Sequence, residues 1–593
     1  MKSGLRLCLV GLLAGWNAGA NGADSPPPEA IHWNAWSSAV FEQARRENRF
    51  VLLDLEAVWC HWCHVMDVNT YADPAVIALI KSNYIAVRVD QDSRPDLSNR
   101  YEDYGWPATI VFNGTGGEIV KRQGYMSQGE MVAMLKAIIA DPSPGPSVKA
   151  SAEIHFQPGL GLTGELRARL LHKLEAAYDT RMAAWGQDQK YLNCDNVEYC
   201  MMHANDRAGN YEKMARDTLA AQLQLIDPVW GGVYQYSTDD DWKHPHFEKI
   251  MQMQAGDMRI YALAYALWPD RKTLRAAQAI DRYLETFLTS PEGAFYTSQD
   301  ADLVAGQHSA AYFKLNDATR RGLGIPRVDK HIYSRENGWA IDAIATLYCV
   351  TEDTNQLARA VRAAEWILAN RSLPSGGFRH DAQDAVGPYL GDTLAMTRAF
   401  LTLYEVTAQR RWLEHSEAAF QFMIKTFAGH PGFVTAETDS ESVLPPRPQY
   451  DENVAMGRLG NLLFHYTGNA DYRTAAENAL RWIAAPEIGG KRFSDVGGVL
   501  LADEELNTEP VHLTIVGNKQ DGMAQSLWKT ALKYPAGYKR VEWFDPAEGP
   551  LPNSDVTYPS FPHAAAFICT RGSCSVPIRD AAALEKRMGE MVK

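Results

Sequence analysis

The sequence lacks any apolar run near the roughly 18–20 residues that a membrane-spanning helix needs. The longest candidate, Leu7 to Leu13, lies near the N-terminus. Positive charge is also in short supply: 58 Lys and Arg stand against 72 Asp and Glu, a formal net charge of −14. A broad footprint for nucleic acid needs the opposite sign, so that class of function is disfavoured. The biases of disordered, collagen-like and coiled-coil chains are missing too, since 46% of residues are hydrophobic and 22% charged. What is left is a soluble globular protein whose 593 residues suggest about three or four domains.

Cysteine is sparse, and its placement is informative. Lys2 and Arg6 precede an apolar stretch from Leu7 to Trp16, then Ala18-Gly19-Ala20 and Gly22-Ala23. This predicts a signal peptide over residues 1–23, cut after Ala20 or Ala23, and an exported, periplasmic protein. Pro26-Pro27-Pro28 argues against a buried helix there. Removing Cys8 leaves Cys60/Cys63, Cys194/Cys200, Cys569/Cys574 and a lone Cys349 within a helical pattern. An oxidising compartment permits a disulfide in each pair. Cys569–Cys574 and Cys194–Cys200 are expected to be structural staples, Cys60–Cys63 a redox centre.

The surroundings of Cys60 carry the redox expectation. Phe50 to Glu56 reads as a buried strand, and Trp59-Cys60-His61-Trp62-Cys63 opens a helix. Strands at Tyr84–Asp90, Gly105–Phe112 and Glu118–Gln123 and a helix at Gln128–Ile139 complete a thioredoxin-like plan. At a helix start, free N–H groups and the dipole stabilise a thiolate, so Cys60 is expected to be an exposed nucleophile. Cys63 would resolve the mixed disulfide, and protonated His61 would add thiolate stabilisation. Asp54 sits where thioredoxins keep a buried proton-shuttling carboxylate, and Pro107 matches their cis-proline. Three rivals stand beside this reading. Cys60 to His64 also spells C-x-x-C-H, the c-type haem signature, although it lies between thioredoxin-type strands. A metal site of two Cys and two His would crowd four ligands onto one turn. A purely structural disulfide would close a strained ring. No metal or other cofactor is expected.

Trp59 to Met66 (WCHWCHVM) resembles the signature of the spermatogenesis-associated thioredoxin-domain proteins and their bacterial relatives. Further matches are Val89-Asp90 with Arg94-Pro95-Asp96, Gly105-Trp106-Pro107, Pro245 to Lys249, Asp300-Ala301-Asp302 and Ala566 to Pro577. The family's Asp-Asp-Lys motif survives only as Asp329-Lys330. The resemblance implies a thioredoxin-like domain fused to an (α/α)6 barrel similar to N-acylglucosamine 2-epimerases, and it covers nearly the whole mature chain.

Independently, residues 141–165 form a Pro/Gly/Ser linker, after which helical hairpins alternate with glycine-aromatic loops near Gly186, Gly231, Gly293, Gly376, Gly432 and Gly489. Six hairpins are what an (α/α)6 toroid requires, here over 166–508. Residues 24–140 are the thioredoxin-like domain, and 509–593 read as a small α/β region. The fold class is thus multidomain: α/β, then all-α toroid, then α/β. Trp230, Tyr234, His246, Glu248, Tyr296, Asp300, Asp302, Arg379 and Asp451 are candidate sugar-binding residues, since aromatic faces and carboxylates suit hydroxylated rings. His246, Glu248, Asp300 and Asp302 are expected to meet in one cleft with at least one carboxyl titrating high. Taken singly, Asp392 and Asp451 also read as helix N-caps. The leading function is a thiol–disulfide oxidoreductase with an unknown redox partner and a toroid that binds a glycan or protein. Alternatives are a carbohydrate epimerase or glycosidase with an accessory thioredoxin domain, and a non-catalytic scaffold.

Overall fold

The computed structural model describes residues 30–149, 153–186, 188–206, 209–384, 386–437, 443–559, 561–570 and 572–592. The expected signal peptide over 1–23 and the Pro26–Pro28 junction lie outside them. Among the described residues, no helix is long and apolar enough to cross a membrane.

The N-terminal unit runs α1 (Ser38–Glu47), β1 (Phe50–Glu56), α2 (His61–Asn69), α3 (Pro74–Asn83), β2 (Tyr84–Asp90), α4 (Pro95–Tyr101), β3 (Ala108–Phe112), β4 (Glu118–Gln123) and α5 (Gln128–Ala140). Its sheet has the order β2-β1-β3-β4, with β1 parallel to β2 and antiparallel to β3. Strand alternation explains the burial: Leu52 enters one apolar cluster while Val51, Leu53 and Leu55 enter another across the sheet. This is the thioredoxin-like arrangement, and α2 starts where β1 ends, at Cys60.

The middle of the chain is helical: α6 (Gly164–Ala176), α7 (Cys194–Met202), α8 (Tyr211–Gln222), α9 (Met251–Leu267), α10 (Arg271–Phe287), the short α11 (Ala310–Phe313) and α12 (Asp317–Leu323), then α13 (Ser334–Thr351), α14 (Thr354–Arg371), α15 (Leu390–Thr407), α16 (Arg410–Phe427), α17 (Tyr450–Thr467), α18 (Ala470–Ile483) and α19 (Gly497–Asn507). Packing resolves them into two rings. The inner ring closes through α7, α9, α13, α15, α17, α19 and back to α7, and each inner helix is backed by α8, α10, α14, α16, α18 or α6. Among the described residues, six hairpins thus form a toroid in which the first helix of the ring, α6, packs behind the last, α19. Closure needs small residues at close approaches: a Cβ on Gly338 of α13 would stand 2.5 Å from the Ala395 carbonyl carbon of α15. Loops at the rim form the two-residue pairs β5 (Tyr178–Asp179) with β6 (Ala184–Trp185), and β7 (Tyr236–Ser237) with β8 (Pro245–His246). They also form a ribbon of β9 (Lys249–Ile250), β10 (Ser298–Gln299) and β11 (Val328–Asp329).

The sequence periodicity places α13 at Ala340–Val350 and α17 at Val454–Tyr466, several residues short at each N-terminus. Those first turns carry Arg335 and Glu336, and Asp451 and Glu452, which line the interior of the ring. Polar residues on the inner face break the apolar period that marks a core helix.

The C-terminal unit runs β12 (Val511–Val516), α20 (Gly522–Leu532), β13 (Lys539–Phe544), β14 (Ala565–Thr570), β15 (Ser573–Cys574) and α21 (Ala581–Val592). Its sheet order is β13-β12-β14-β15, with β12 parallel to β13 and antiparallel to β14. Strand for strand, this repeats the N-terminal sheet.

Two of the three expected cysteine pairs are disulfides, Cys60–Cys63 and Cys569–Cys574. The third expectation is corrected: Cys194 and Cys200 are free thiols. They lie six residues apart on α7, about 240° round its axis, so one faces the ring interior and the other the core.

Candidate functional site

The Cys60–Cys63 pair does not face solvent. Cys60 serves as the N-cap of α2, its sulfur accepting from the Cys63 amide. The pair packs with Ala57, Trp59, Trp106 and Ile250, the last from the toroid, and its residues are only 4% and 3% exposed. The expectation of an exposed Cys60 is therefore corrected. Two toroid loops cover the helix start. Glu248 Oε1 accepts the His61 amide at 3.2 Å, Asp302 accepts from His61 Nδ1 at 2.7 Å and from His64 Nδ1 at 3.2 Å, and the Ala301 amide donates to Trp59 O at 3.4 Å. His64 Nε2 lies 3.2 Å from Val58 O, and because a carbonyl only accepts, that nitrogen carries a proton.

Glu248, Asp300 and Asp302 thus do come together, but around the CxxC helix. Burial pushes Asp300 up to about 6 despite the neighbouring His64. Burial would also raise Asp302, yet hydrogen bonds from His61 and His64 outweigh it and hold that carboxyl down at about 2. His64 shows the converse balance: burial disfavours its charge, and Asp302 and Asp300 still raise its pKa. Two carboxyls with one residue between them are driven apart by which of them holds the histidines. His246 stands beside this group, its Nδ1 3.8 Å from Glu248 Oε2 and its ring stacked on Tyr236.

On the strand leading into the pair, Asp54 is buried and hydrogen-bonded to Arg88 at 2.9 Å. Arg88 also pairs with Glu56 and Asp67. Burial pushes Asp54 up to about 6 against the pull of Arg88. The Trp106–Pro107 peptide is cis.

The other expected sugar-binding residues scatter. Trp230 and Tyr234 are buried around an ion cluster in which Lys249 Nζ and Arg320 Nη1 meet Asp227 at 2.8 and 2.7 Å. Tyr296 packs against the toroid core, and Arg379 donates to the Asn370 carbonyl on the outside. Asp392 is not an N-cap: it lies within the first turn of α15 and accepts from the Arg335 amide and from His380. Asp451 likewise follows the N-cap Gln449 and faces the interior.

That interior is a chamber of about 670 Å³ on the toroid axis, lined by all six inner helices. Gln91, Asp92, Ser98, Asn99, Glu102 and Trp106 of the thioredoxin-like unit roof it, and Gly537 and Tyr538 of the C-terminal unit reach its other end. Asn99 donates to Glu452 and Gln449 to Glu102 across the roof. Among the described residues, ten carboxyl side chains and five arginines line the chamber, so a polyanionic ligand is disfavoured. Trp339 and Tyr450 supply aromatic faces. Burial pushes Asp195 up to about 6, and Glu452 and Glu102 up to about 7. Asp195 and Asp451 show 45% and 62% of their side chains to the chamber, yet lie deep inside the molecule, where low polarisability raises both.

A belt of charge crosses the chamber toward the C-terminal unit, one residue from each inner helix: Glu198, Arg259, Asp342, Arg398, Arg458 and Glu505. Arg259 pairs with Glu198 at 2.8 Å and Asp342 at 3.5 Å, Arg398 with Asp342 at 3.4 Å, and Arg458 with Glu198 at 2.8 Å and Glu505 at 2.7 Å. The sequence reading missed this belt, although a signal exists. Arg259, Asp342, Arg398, Arg458 and Glu505 are each the ninth residue of their helix, and in the first four the charge stands between uncharged neighbours.

Residues 25–138 match the family Thioredox_DsbH, described as "Protein of unknown function, DUF255". Along most of its length the chain also aligns with spermatogenesis-associated protein 20 of Homo sapiens, at 20% identity over 722 residues, covering 94% of this chain and 89% of that one. The chain is a relative of spermatogenesis-associated protein 20. The match to the Mus musculus form is 23% identical over 419 residues, 65% of this chain and half of that one. Among solved structures, cellobiose 2-epimerase from Spirochaeta thermophila is similar over 58% of this chain and 97% of its own, at 11% identity and a TM-score of 0.46.

Proposed function

We propose that the protein binds a neutral carbohydrate in the axial chamber and moves a proton on it. The observation that carries this reading is the chamber lining: aromatic faces, an excess of carboxyls, and a volume within the span of small-molecule sites. Carboxyls titrating near 6 and near 7 are present in both protonated and ionised forms at neutral pH. Proton transfer at a sugar carbon or a glycosidic oxygen needs that combination. Epimerisation and glycoside cleavage both belong to this class. Calorimetry with neutral mono- and disaccharides, and a sugar phosphate as control, tests it. Neutral sugars should bind more tightly than the phosphate, and Trp339→Ala should weaken them at least tenfold. Failure of every neutral sugar to bind, or full binding by the Trp339 variant, would sink the reading.

A second reading is favoured by the disulfide itself. With Asp54 behind it and Pro107 beside it, Cys60–Cys63 has the parts of a thiol–disulfide exchange centre, Cys60 being the nucleophile. Its burial favours a partner that enters past Trp106 and Ile250, or one that docks after the toroid loops separate. A Cys63→Ser variant should accumulate a mixed disulfide at Cys60, and an empty trap would count against exchange. Export by residues 1–23 belongs to the same reading, and is checked by whether the mature chain begins after Ala20 or Ala23.

A further inference from the structure

A second carboxylate cluster joins the two units, linked to the start of the CxxC helix through the Trp59 indole. Asp90 ends β2, Asp92 follows two residues later, and Asp329 ends β11 of the toroid. One carboxylate oxygen from each lies within 4.8 Å of the others. Asp92 and Asp329 are 6% and 3% exposed. Several oxygens are already engaged: Asp90 accepts the Val58 and Ser93 amides, Asp92 accepts Trp59 Nε1 at 2.7 Å and the Gln91 amide group, and Asp329 Oδ1 accepts from His331.

Three buried oxygens there have no hydrogen-bond partner among the described residues: Asp329 Oδ2, the Tyr333 hydroxyl and Glu336 Oε2. Tyr333 and Glu336 are 1% and 3% exposed, and the tyrosine lies within electrostatic reach of Asp90, Asp92, Asp329 and Glu336. An orphaned buried polar atom is costly and calls for a partner. Three in one place, all oxygen, beside three carboxylates, call for a cation.

We infer that Asp90, Asp92 and Asp329, with Tyr333 beside them, form a site for a hard divalent cation of the Ca²⁺ or Mg²⁺ class that ties the thioredoxin-like unit to the toroid. Oxygens that share a Ca²⁺ at 2.3–2.6 Å lie no more than about 5 Å apart, as these three do. The all-oxygen donor set selects against zinc and copper, which favour nitrogen and sulfur. It also gives the Asp90 and Asp329 positions a role that neither the chamber nor the disulfide uses.

Trp59 supplies the readout, since its indole hydrogen-bonds Asp92. Terbium added to the full chain should give tryptophan-sensitised emission that saturates at one ion per chain. Ca²⁺ or Mg²⁺ should displace it, and whichever competes at lower concentration is the preferred ion. Asp90→Asn and Asp329→Asn should each weaken terbium binding at least tenfold, whereas Asp300→Asn, in the cluster beside Cys60, should leave it unchanged. Both Asn variants keep the shape and remove repulsion, so they should fold, and circular dichroism checks this. In the wild type, the preferred ion should raise the melting temperature relative to a chelator, and the rise should vanish in Asp329→Asn. No saturable emission, emission indifferent to Asp90 and Asp329, loss of emission in Asp300→Asn, or a melting temperature insensitive to both ions would each overturn the proposal.

Discussion

The two α/β units share a strand plan and differ in how they meet the toroid. In the N-terminal unit both sheet faces have apolar clusters of their own. Its contacts with the toroid join polar pairs, Asn99 with Glu452, His61 with Asp302 and His380 with the Asp92 carbonyl, to a few apolar ones, Ile250 on the cysteine pair and Val443 and Leu444 on the sheet. Among the described residues, the C-terminal unit has no separate core on its toroid side: Leu513, Ile515, Val541, Leu584 and Met588 join the cluster that runs through the inner and outer helices. Tyr466 of α17 accepts the Val541 amide, and Trp528 of α20 donates to Val406 O of α15. The turn after β1 holds Cys60 and Cys63, whereas the turn after β12 holds Gly517 to Asp521 and no cysteine. One plan thus serves as a docked unit that carries the Cys60–Cys63 disulfide and, at the other end, as a wall. A seam of polar bonds with a few apolar contacts exposes less apolar surface on parting than a shared apolar core does.

The largest expected effect follows from that contrast. Residues 30–148 expressed alone should unfold cooperatively as an independent domain, whereas a chain without residues 509–593 should fail to yield folded protein. Solubility and denaturant melts of the two fragments check this, and a stable truncated toroid would break the comparison. Next in size, Glu542→Ala should cost roughly 3 kcal/mol. Glu542 is fully buried and compensates Arg540 and His512, and its loss leaves the buried guanidinium with Asp555 as its remaining carboxylate partner and the His512 ring without its own. The shift in denaturation midpoint measures it.

The thioredoxin-like unit should carry an unusual pH dependence. Burial pushes Asp54 to about 6 and Glu56 to about 8, both above their unfolded values near 4. The native unit therefore binds these protons more tightly than the unfolded chain. Stability should be greatest below about pH 4 for this contribution and fall as the pH rises toward about 8, by roughly 1–3 kcal/mol. Melts of the 30–148 fragment across that window test the sign, and Asp54→Asn should flatten the curve.

The smallest effect separates the disulfides. Cys574 is exposed, while Cys60 and Cys63 are covered by the toroid. Mild reduction and alkylation of the whole chain should label Cys569 and Cys574 first, and Cys60 should become equally reactive in the 30–148 fragment. Removing the Cys569–Cys574 bridge should cost no more than about 2 kcal/mol, because the loop it closes is short.

Much of the architecture was legible. Strands β1, β2 and β4 read at their observed bounds, and the glycine-aromatic loops counted the hairpins. Helices α7 and α19 escaped because their chamber-facing residues blur the apolar period, whereas α6 was missed although Leu166, Leu170 and Leu174 mark one buried face. The matching plan of the C-terminal sheet was hidden, since strand order depends on pairing partners that periodicity does not name. The site was legible in kind more than in place. Glu248, Asp300 and Asp302 were singled out as carboxyls of adjacent loops, but their partner is a helix about 190 to 240 residues earlier in the chain.

By itself, the sequence determined what is local: the CxxC at a helix start, the strands that flank it, the helical hairpins and their number, and the acidic balance. Each depends on neighbours a few residues away, through backbone preference, side-chain period or charge. Only the tertiary structure decided that Cys60 is covered, that Cys194 and Cys200 point apart, and that five charges at the ninth residue of inner helices join Glu198 in one belt. It alone also brought Asp90 and Asp92 to Asp329. Those outcomes are set by ring closure and docking, which bring together residues hundreds of positions apart, and burial then decides which of their charges survive.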